Sequence, residues 1–266
     1  MLEAFSAEHW DFRGGRERNL AAAADLSAEQ ERSTIELAPG LGMAPSRPLR
    51  QDYDAIVMTG GMVRAGIVKP RFARELLDAG VRARSIVFLG AFRAFAGDEH
   101  ALARALGVRG EGEFDAMDEG MRRAFGVNDA PVFEGDDAHR PEASWRRHSW
   151  PAVGKRPALE VLAAASSDPA RGRANTVDTY RFWAERQQAQ AVSVLVVTTP
   201  IYVPYQAAGA IEVLGMECGF SVEAVGVSST ASDLGALSQP FLAQHHLQEL
   251  RSGIRGMASL LRRAGR

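Results

Sequence analysis

Short apolar runs alternate with amphipathic segments along most of this chain. Runs rich in β-branched residues are typical of strands buried on both faces, whereas apolar residues at three- and four-residue spacing are typical of helices. The runs predict strands over residues 53–58, 85–89, 159–164, 193–198 and 221–227. The amphipathic segments predict helices over residues 69–79, 98–106, 114–125, 175–188 and 204–214. This alternation predicts an α/β fold built from right-handed βαβ units around a parallel sheet.

Two regions interrupt the alternation and set the predicted domain organisation. Residues 1–50 carry only short helical patterns, over residues 17–24 and 28–35, and are interpreted as an N-terminal extension. Residues 51–266 are interpreted as one α/β domain with a lid-like insertion at about residues 109–158, which contains the aromatic and basic run Trp145–Trp150. A C-terminal helix is predicted over about residues 239–263, with Ser238 as its cap and its apolar face on the sheet.

Composition narrows the class of protein. The net charge of −2 argues against a general nucleic-acid binder, which usually carries a basic excess. The N-terminus lacks the apolar core of a signal peptide, and no window approaches eighteen consecutive apolar residues. Cys218 is the single cysteine, so neither an internal disulfide nor a cysteine-based zinc site is expected. These features predict a cytoplasmic protein without a membrane or nucleic-acid partner.

Polar turns follow four of the predicted strands. The carboxyl ends of parallel strands share one edge of a sheet, and ligands bind in the crevice there. The residues that we expect at this edge are Thr59, Gly60 and Gly61 in the first turn, Gly90, Arg93 and Glu99 in the second, Asn175, Thr176 and Asp178 in the third, and Thr198, Thr199, Tyr202 and Tyr205 in the fourth.

Each group of residues has a predicted role. Glycines let backbone N–H groups approach an anion, and Asn175 and Thr199 would hydrogen-bond the ligand. Glu99 or Asp178 is the candidate general base, because burial would raise the pKa of either carboxylate. Tyr202 would donate a hydrogen bond or a proton. No histidine pair has the spacing of a zinc site, so no metal is predicted.

The same residues also have purely structural interpretations. Paired glycines can serve a tight turn, and an acidic residue at a helix start, such as Glu99, is stabilised by the helix dipole. Asn175 and Asp178 have the spacing of a capping box. The tyrosines can be packing residues. Both sets of interpretations stay open at this point.

Taken in order, the four turns resemble the motifs of the ElyC/SanA/YdcF family. The similar segments are residues 54–61, residues 86–90 with Glu99 after them, Asn175 and Thr176 with Asp178, and residues 196–200. Arg71 matches a recurrent arginine of that family. The resemblance covers about residues 52–227 and departs from the family pattern at Tyr202 and Tyr205, which stand where the family has a histidine and an arginine.

The resemblance implies a Rossmann-like three-layer sandwich, with residues 51–266 as a YdcF-like domain. It also implies a nucleotide-like ligand, for which S-adenosylmethionine is one choice of cofactor. We therefore predict a small-molecule enzyme, a transferase or hydrolase, that acts on or uses a nucleotide-like or phosphorylated ligand. Two alternatives stay open: a non-catalytic ligand-binding or regulatory protein, and a subunit that is active only in a complex.

Overall fold

A mostly parallel sheet forms the centre of the fold in the computed structural model, which describes residues 1–14, 23–136, 140, 143–168, 170, 172–187 and 192–265. In those ranges the strands are β1 (Asp52–Thr59), β2 (Arg82–Ala91), β3 (Val132–Asp136), β4 (Trp145–Trp150), β5 (Ala158–Ala164), β6 (Ser193–Thr198) and β7 (Ser221–Gly226). The helices are α1 (Leu2–His9), α2 (Ala28–Leu37), α3 (Val63–Asp78), α4 (Glu99–Ala105), α5 (Glu113–Phe125), α6 (Thr176–Ala184), α7 (Val203–Ala210), α8 (Ser229–Ser232) and α9 (Ala243–Arg263).

The strand order places β1 in the middle of the five parallel strands. The order is β3-β4-β5-β2-β1-β6-β7 among the described residues, and β1, β2, β5, β6 and β7 run parallel. From β1 the chain passes to β2, then to the edge strand β3 and back inward through β4 to β5 beside β2. It then crosses to the other side of β1 with β6 and β7. This reversal makes the β1–β6 junction the topological switch point, the place where open α/β sheets bind ligands.

Helices cover both faces of the sheet. On one face α3 and α5 pack over apolar residues that include Ile56, Phe88 and Leu195. On the other face α6 and the π-helical segment Ile211–Glu217, which continues α7, pack over Val57, Leu89 and Val196. The predicted Rossmann-like three-layer sandwich is therefore confirmed.

Helix α3 begins six residues before the predicted start at residue 69. Pro70 lacks a backbone N–H and is typical of the start of a helix, so the residues before it were predicted as a loop. In the structure Pro70 lies inside α3. Gly66, one turn earlier, faces Gly120 of α5, and a Cβ on either glycine would overlap the other helix backbone. The close crossing of α3 and α5 therefore stabilises a helix that the local sequence disfavours.

The predicted insertion is largely part of the layers. It contributes α5 to the helical layer, and β4 pairs antiparallel with β5 while β3 pairs antiparallel with β4. The run Trp145–Trp150 is thus a strand, whose tryptophans point to opposite faces: Trp145 packs on Phe182 of α6, and buried Trp150 donates to the carbonyl of Asp129. This run extends the sheet and does not cover its carboxyl edge.

The two ends of the chain pack on each other. Helix α9 starts at Ala243, its N-cap is Leu242 rather than Ser238, and it packs on α7 instead of on the sheet, so the predicted cap and packing face are wrong. Helices α1 and α2 pack on α9 in turn. The helix predicted over residues 17–24 lies mostly outside the described residues, since residues 15–22 are not among them.

Candidate functional site

The carboxyl ends of β1 and β6 flank a crevice of about 90 Å³. We call it the switch-point crevice. It is lined by the predicted residues Thr59, Gly60, Gly61, Thr198, Thr199 and Tyr202, by Lys69 of α3, and by an apolar wall that includes Val68, Val227, Leu234 and Phe241. Sequence reasoning thus brought together the first and fourth turns correctly. The crevice lies where the fold predicts a ligand.

A buried ammonium group lies at the base of this crevice. Lys69 is 1% exposed, and its Nζ donates to the carbonyl oxygen of Thr59, to Thr59 Oγ1 at 3.0 Å and to the carbonyl oxygen of Gly60 at 3.2 Å. The Thr59 hydroxyl donates in turn to Thr198 Oγ1 at 3.2 Å. A hydroxyl that accepts from a cation becomes a better donor, so this chain transmits positive potential to the Thr198 hydroxyl.

The fourth turn adds the start of a helical run to the crevice. Thr199 is the N-cap of a 3-10 turn, Pro200–Tyr202, which continues into α7, and its side chain makes no capping hydrogen bond. Pro200 has no N–H and the Tyr202 amide donates to the Thr199 carbonyl at 2.9 Å, so this start contributes mainly the positive end of the helix dipole. Tyr202 is half-buried beside this start, with its ring edge-on to Phe241 at 6.2 Å between centroids.

The second turn forms an ion cluster instead of an open site. Arg93 pairs with Glu99 through two hydrogen bonds, of 2.6 and 2.9 Å, and with Glu113 of α5 at 3.3 Å. We call these three residues the Arg93 cluster. Glu99 also accepts from the backbone amides of Val63 and Ala96, at 3.3 and 3.1 Å. Its carboxylate therefore ties the second turn to the start of α3.

The net pKa shifts of the two carboxylates in the Arg93 cluster have opposite directions. Burial alone would raise the pKa of Glu99, but Arg93 and the two amides outweigh it and hold that pKa below the ordinary value. For Glu113 burial dominates over Arg93 and the Gly61 amide, so its pKa is raised. The expectation that burial would raise the pKa of Glu99 is wrong because its ion pair was not foreseen.

Glu113 explains the glycines of the first two turns. Its Oε1 accepts from the Gly61 amide at 2.8 Å, and a Cβ at Gly60 would overlap the same oxygen. A Cβ at Gly90 would come too close to Met117. These glycines therefore make room for α5 side chains, and the Gly61 amide already has a protein partner.

The third turn is a helix cap. Asn175 Oδ1 accepts from the amides of Val177 and Asp178, at 2.8 and 3.2 Å, and Asp178 Oδ2 accepts from the Asn175 amide at 2.9 Å. The Ser167 hydroxyl donates to the other oxygen of Asp178 at 2.5 Å. Asp178 is buried, and these contacts are the capping box that the structural interpretation predicts; Thr176 is the first residue of α6.

Two further predicted residues lie in different surroundings from those expected. Tyr205, on α7, is 36% exposed and lies against Gly253 and Gly256 of α9, so it is not part of the crevice lining. The candidate catalytic residues Glu99, Asp178 and Tyr202 lie in three different contact groups: the Arg93 cluster, the cap of α6 and the switch-point crevice.

Sequence reasoning missed Lys69, Glu113 and Phe241. Lys69 was treated as a helix start, although it is one of only two lysines in a chain whose other basic residues are arginines. That rarity was the one available signal for Lys69. Glu113 and Phe241 meet the turns only through long-range packing, so local patterns carry no signal for them.

The described ranges contain neither a metal-binding cluster nor a membrane-spanning helix. In those ranges no group of three or more histidine, cysteine or acidic side chains is placed to hold a metal ion. Within the same ranges, no helix combines the length and apolar character that a membrane crossing requires.

Comparisons with known proteins identify relatives over almost the whole chain. A family model described as the Rv3785 N-terminal domain matches residues 1–42. Similar proteins are the "uncharacterized protein Rv3785" of Mycobacterium tuberculosis (strain H37Rv) and the "uncharacterized protein Mb3814" of Mycobacterium bovis. Each is 31% identical over 257 residues, which are 94% of this chain and 71% of the relative. No solved structure matches.

These relatives correct one prediction. They are not members of the ElyC/SanA/YdcF family, so the membership predicted from the four turns is wrong. The motifs behind it are short strand–turn–helix junctions, which many parallel α/β sheets share. The predicted preference for S-adenosylmethionine rested on that resemblance and loses its support with it.

Proposed function

The chain belongs to the family of the mycobacterial protein Rv3785, and we propose that its switch-point crevice binds a small phosphorylated or nucleotide-like molecule. One observation carries this proposal: Lys69 is buried beneath the crevice with its ammonium group bonded to Thr59. A buried cation is costly unless it is hydrogen-bonded, and it favours an anion nearby. The proposed place for the anionic group is against Thr59, Thr198 and Thr199.

The helical run after Thr199 supports the same assignment. Its positive end and the polarised hydroxyl of Thr198 both point to negative charge in the ligand. Hydroxyls and helix starts recur in phosphate sites because they donate hydrogen bonds to oxygen. The apolar wall of Val68, Leu234 and Phe241 would contact the uncharged part of the ligand.

The contacts of the acidic residues favour binding over catalysis as the first assignment. Glu99 is held by Arg93 and two amides, and Asp178 by Ser167 and the Asn175 amide. A general base must accept a proton from its substrate, and both carboxylates already accept several hydrogen bonds from the protein. We therefore assign both residues to the positioning of turns and propose a ligand-binding protein. A cytoplasmic location stays a prediction.

An enzyme is the second candidate, and Tyr202 is the observation that favours it. Its half-buried ring lines the crevice, where a phenol can donate a proton to a leaving group. Under this candidate, substitution of Tyr202 by Phe abolishes conversion of a phosphorylated substrate and leaves its binding within a few-fold. Equal conversion by wild type and variant would exclude Tyr202 as the proton donor.

Calorimetric titration with inorganic phosphate, ribose 5-phosphate and S-adenosylmethionine tests the binding proposal. We expect ribose 5-phosphate to bind and Lys69→Met to weaken that binding about tenfold or more, since the variant removes the buried charge that polarises the hydroxyls of Thr59 and Thr198. Lys155→Met is the matched control, because Lys155 is the other lysine and is exposed. Thr199→Val removes a hydroxyl group from the proposed anion site and leaves the buried charge of Lys69 in place. Failure of both phosphate probes to bind, or equal effects of the two lysine variants, would overturn the proposal.

A further inference from the structure

A second cavity, of about 170 Å³, lies beside the switch-point crevice. We call it the N-terminal cavity. The two spaces share Met62, Arg64, Tyr202, Gln239 and Phe241 as lining residues. The edge-to-face pair of Tyr202 and Phe241 is therefore the common wall between them. A ligand with its anionic group in the switch-point crevice can extend past this wall into the N-terminal cavity.

The N-terminal cavity is built by the two ends of the chain. Phe12 and Arg13 lie on one side, and Gln244, Gln248 and Glu249 of α9 on the other. The guanidinium of Arg13 pairs with the buried carboxylate of Glu249, and the Arg13 amide donates to Gln248 Oε1 at 3.1 Å. The Ala24 amide donates to Gln244 Oε1 at 2.9 Å. The side of the cavity formed by the N-terminal segment is thus held by specific bonds.

The lining of this cavity matches a flat ring with polar edges. Phe12, Tyr202 and Phe241 offer aromatic surfaces, on which planar heterocycles stack. The carboxamide of Gln239 lines both spaces and makes no hydrogen bond to any residue in the described ranges. A carboxamide offers both a donor and an acceptor, which are complementary to the edge of a nucleobase. An enclosed cavity of about 150 Å³ accommodates a benzene-sized ring, so a space of about 170 Å³ matches a single ring in size.

We infer that the N-terminal cavity binds the single-ring base of a pyrimidine nucleotide whose phosphate lies in the switch-point crevice. This inference rests on the proposed function and adds the class of ligand to it. Phe12 and Arg13 fall within residues 1–42, the segment that the N-terminal family model matches. The N-terminal segment is then part of the ligand site and not only an extension.

Calorimetric titration with uridine 5′-monophosphate, adenosine 5′-monophosphate and ribose 5-phosphate tests the inference. Wild-type protein is expected to bind uridine monophosphate at least tenfold more tightly than the other two probes. Gln239→Leu is expected to reduce that preference about fivefold or more, because it should weaken the binding of uridine monophosphate more than that of ribose 5-phosphate. Phe12→Ala should have the same signature from the N-terminal side. Gln51→Leu is the matched control, because Gln51 is exposed and distant from both cavity linings.

The outcomes separate this inference from the proposed function. Equal binding of uridine monophosphate and ribose 5-phosphate would overturn the base subsite and leave the phosphate site standing. Equal binding of the two nucleotides would overturn the single-ring assignment. A Gln239→Leu variant that weakens all probes alike would assign Gln239 to the crevice alone and overturn its role as a base contact. Failure of all three probes to bind would overturn both proposals.

Discussion

Two gaps at the carboxyl edge of the sheet differ in how the protein fills them. Between β1 and β2, the Arg93 cluster occupies the space, and its charges satisfy one another and the backbone amides of Gly61 and Val63. Between β1 and β6, the switch-point crevice keeps a volume of about 90 Å³ above one buried cation. The turns beside both gaps contain glycine or threonine, but only the gap between β1 and β6 is open.

The difference shows what polar residues after a strand do and do not indicate. Glu99 and Asp178 have the position of functional residues, but each is used to fix a turn or a helix start. Thr59 and Thr198 look less reactive, yet they line the open space. Strand topology separates the two cases, because a crevice opens where neighbouring connections leave in opposite directions.

Substitution of Arg93 should cause the largest loss of stability, and it tests whether the filled gap between β1 and β2 is a structural unit. Arg93→Met would leave the carboxylates of Glu99 and Glu113, which are 1% and 5% exposed, without their shared cation. We expect a loss of about 3–5 kcal/mol in the free energy of unfolding, measured by urea denaturation. Arg74→Met is the control: its exposed pair with Asp78 should contribute less than about 1 kcal/mol. Similar losses in the two variants would show that the cluster is not a structural unit.

Addition of one methyl group at Gly60 should give the next largest effect. The new Cβ would overlap Glu113 Oε1, so we expect Gly60→Ala to lose about 2–3 kcal/mol in thermal or urea unfolding. The loss should be partly rescued by a second substitution, Glu113→Ala, because the overlapping carboxylate is then gone. Gly209→Ala has open space and should gain about 0.5–1 kcal/mol. Strict additivity in the double variant would contradict the assigned cause.

Lys69→Met should cost less stability than either of those changes. It removes a buried charge together with its desolvation penalty, and the hydrogen-bond acceptors of Thr59 and Gly60 that lose this donor are neutral. We expect a change of about 1–2 kcal/mol in the free energy of unfolding. A loss of stability as large as that of Arg93→Met would mean that Lys69 mainly stabilises the fold and is not part of a ligand site.

The smallest expected effect is a pair of opposite pH slopes within the Arg93 cluster. Glu99 has a pKa below its ordinary value of 4.5, so its charge stabilises the fold above that value and the benefit is lost as the pH falls further. The advantage of wild type over Glu99→Gln should therefore shrink in acid. Burial raises the pKa of Glu113 above 4.5, so the folded state holds the proton of this carboxyl group more tightly than the unfolded state does. Stability should therefore fall as the pH rises from 4.5 through the raised pKa. The advantage over Glu113→Gln should grow in acid. Urea unfolding from pH 8 down to about pH 3 checks both slopes, because the Glu99 contribution is lost only below 4.5; slopes of equal sign would contradict the assignment.

Much of the fold was predictable from local patterns, whereas the site was predictable only in part. Strand β6 runs over the predicted residues, and buried apolar runs predicted the other parallel strands. Strands β3 and β4 were missed because their side chains are mostly half-buried or exposed, so the apolar signal is weak. For the site, the meeting of Thr59 and Thr198 followed from parallel topology. The Arg93 cluster did not, because Glu113 reaches Gly61 across 52 residues of sequence.

The bond between Arg13 and Glu249 sets an order of events during synthesis. The two residues are separated by 236 positions, so Arg13 cannot pair with Glu249 until α9 has been synthesised. At about 5–20 residues per second, this delay lasts roughly 10–50 s. During that time the sheet strands can already pair, but the N-terminal cavity has only one of its walls. A nascent chain is therefore expected to have its central strands before it has a complete ligand site, and the site can bind its ligand only after α9 has been translated.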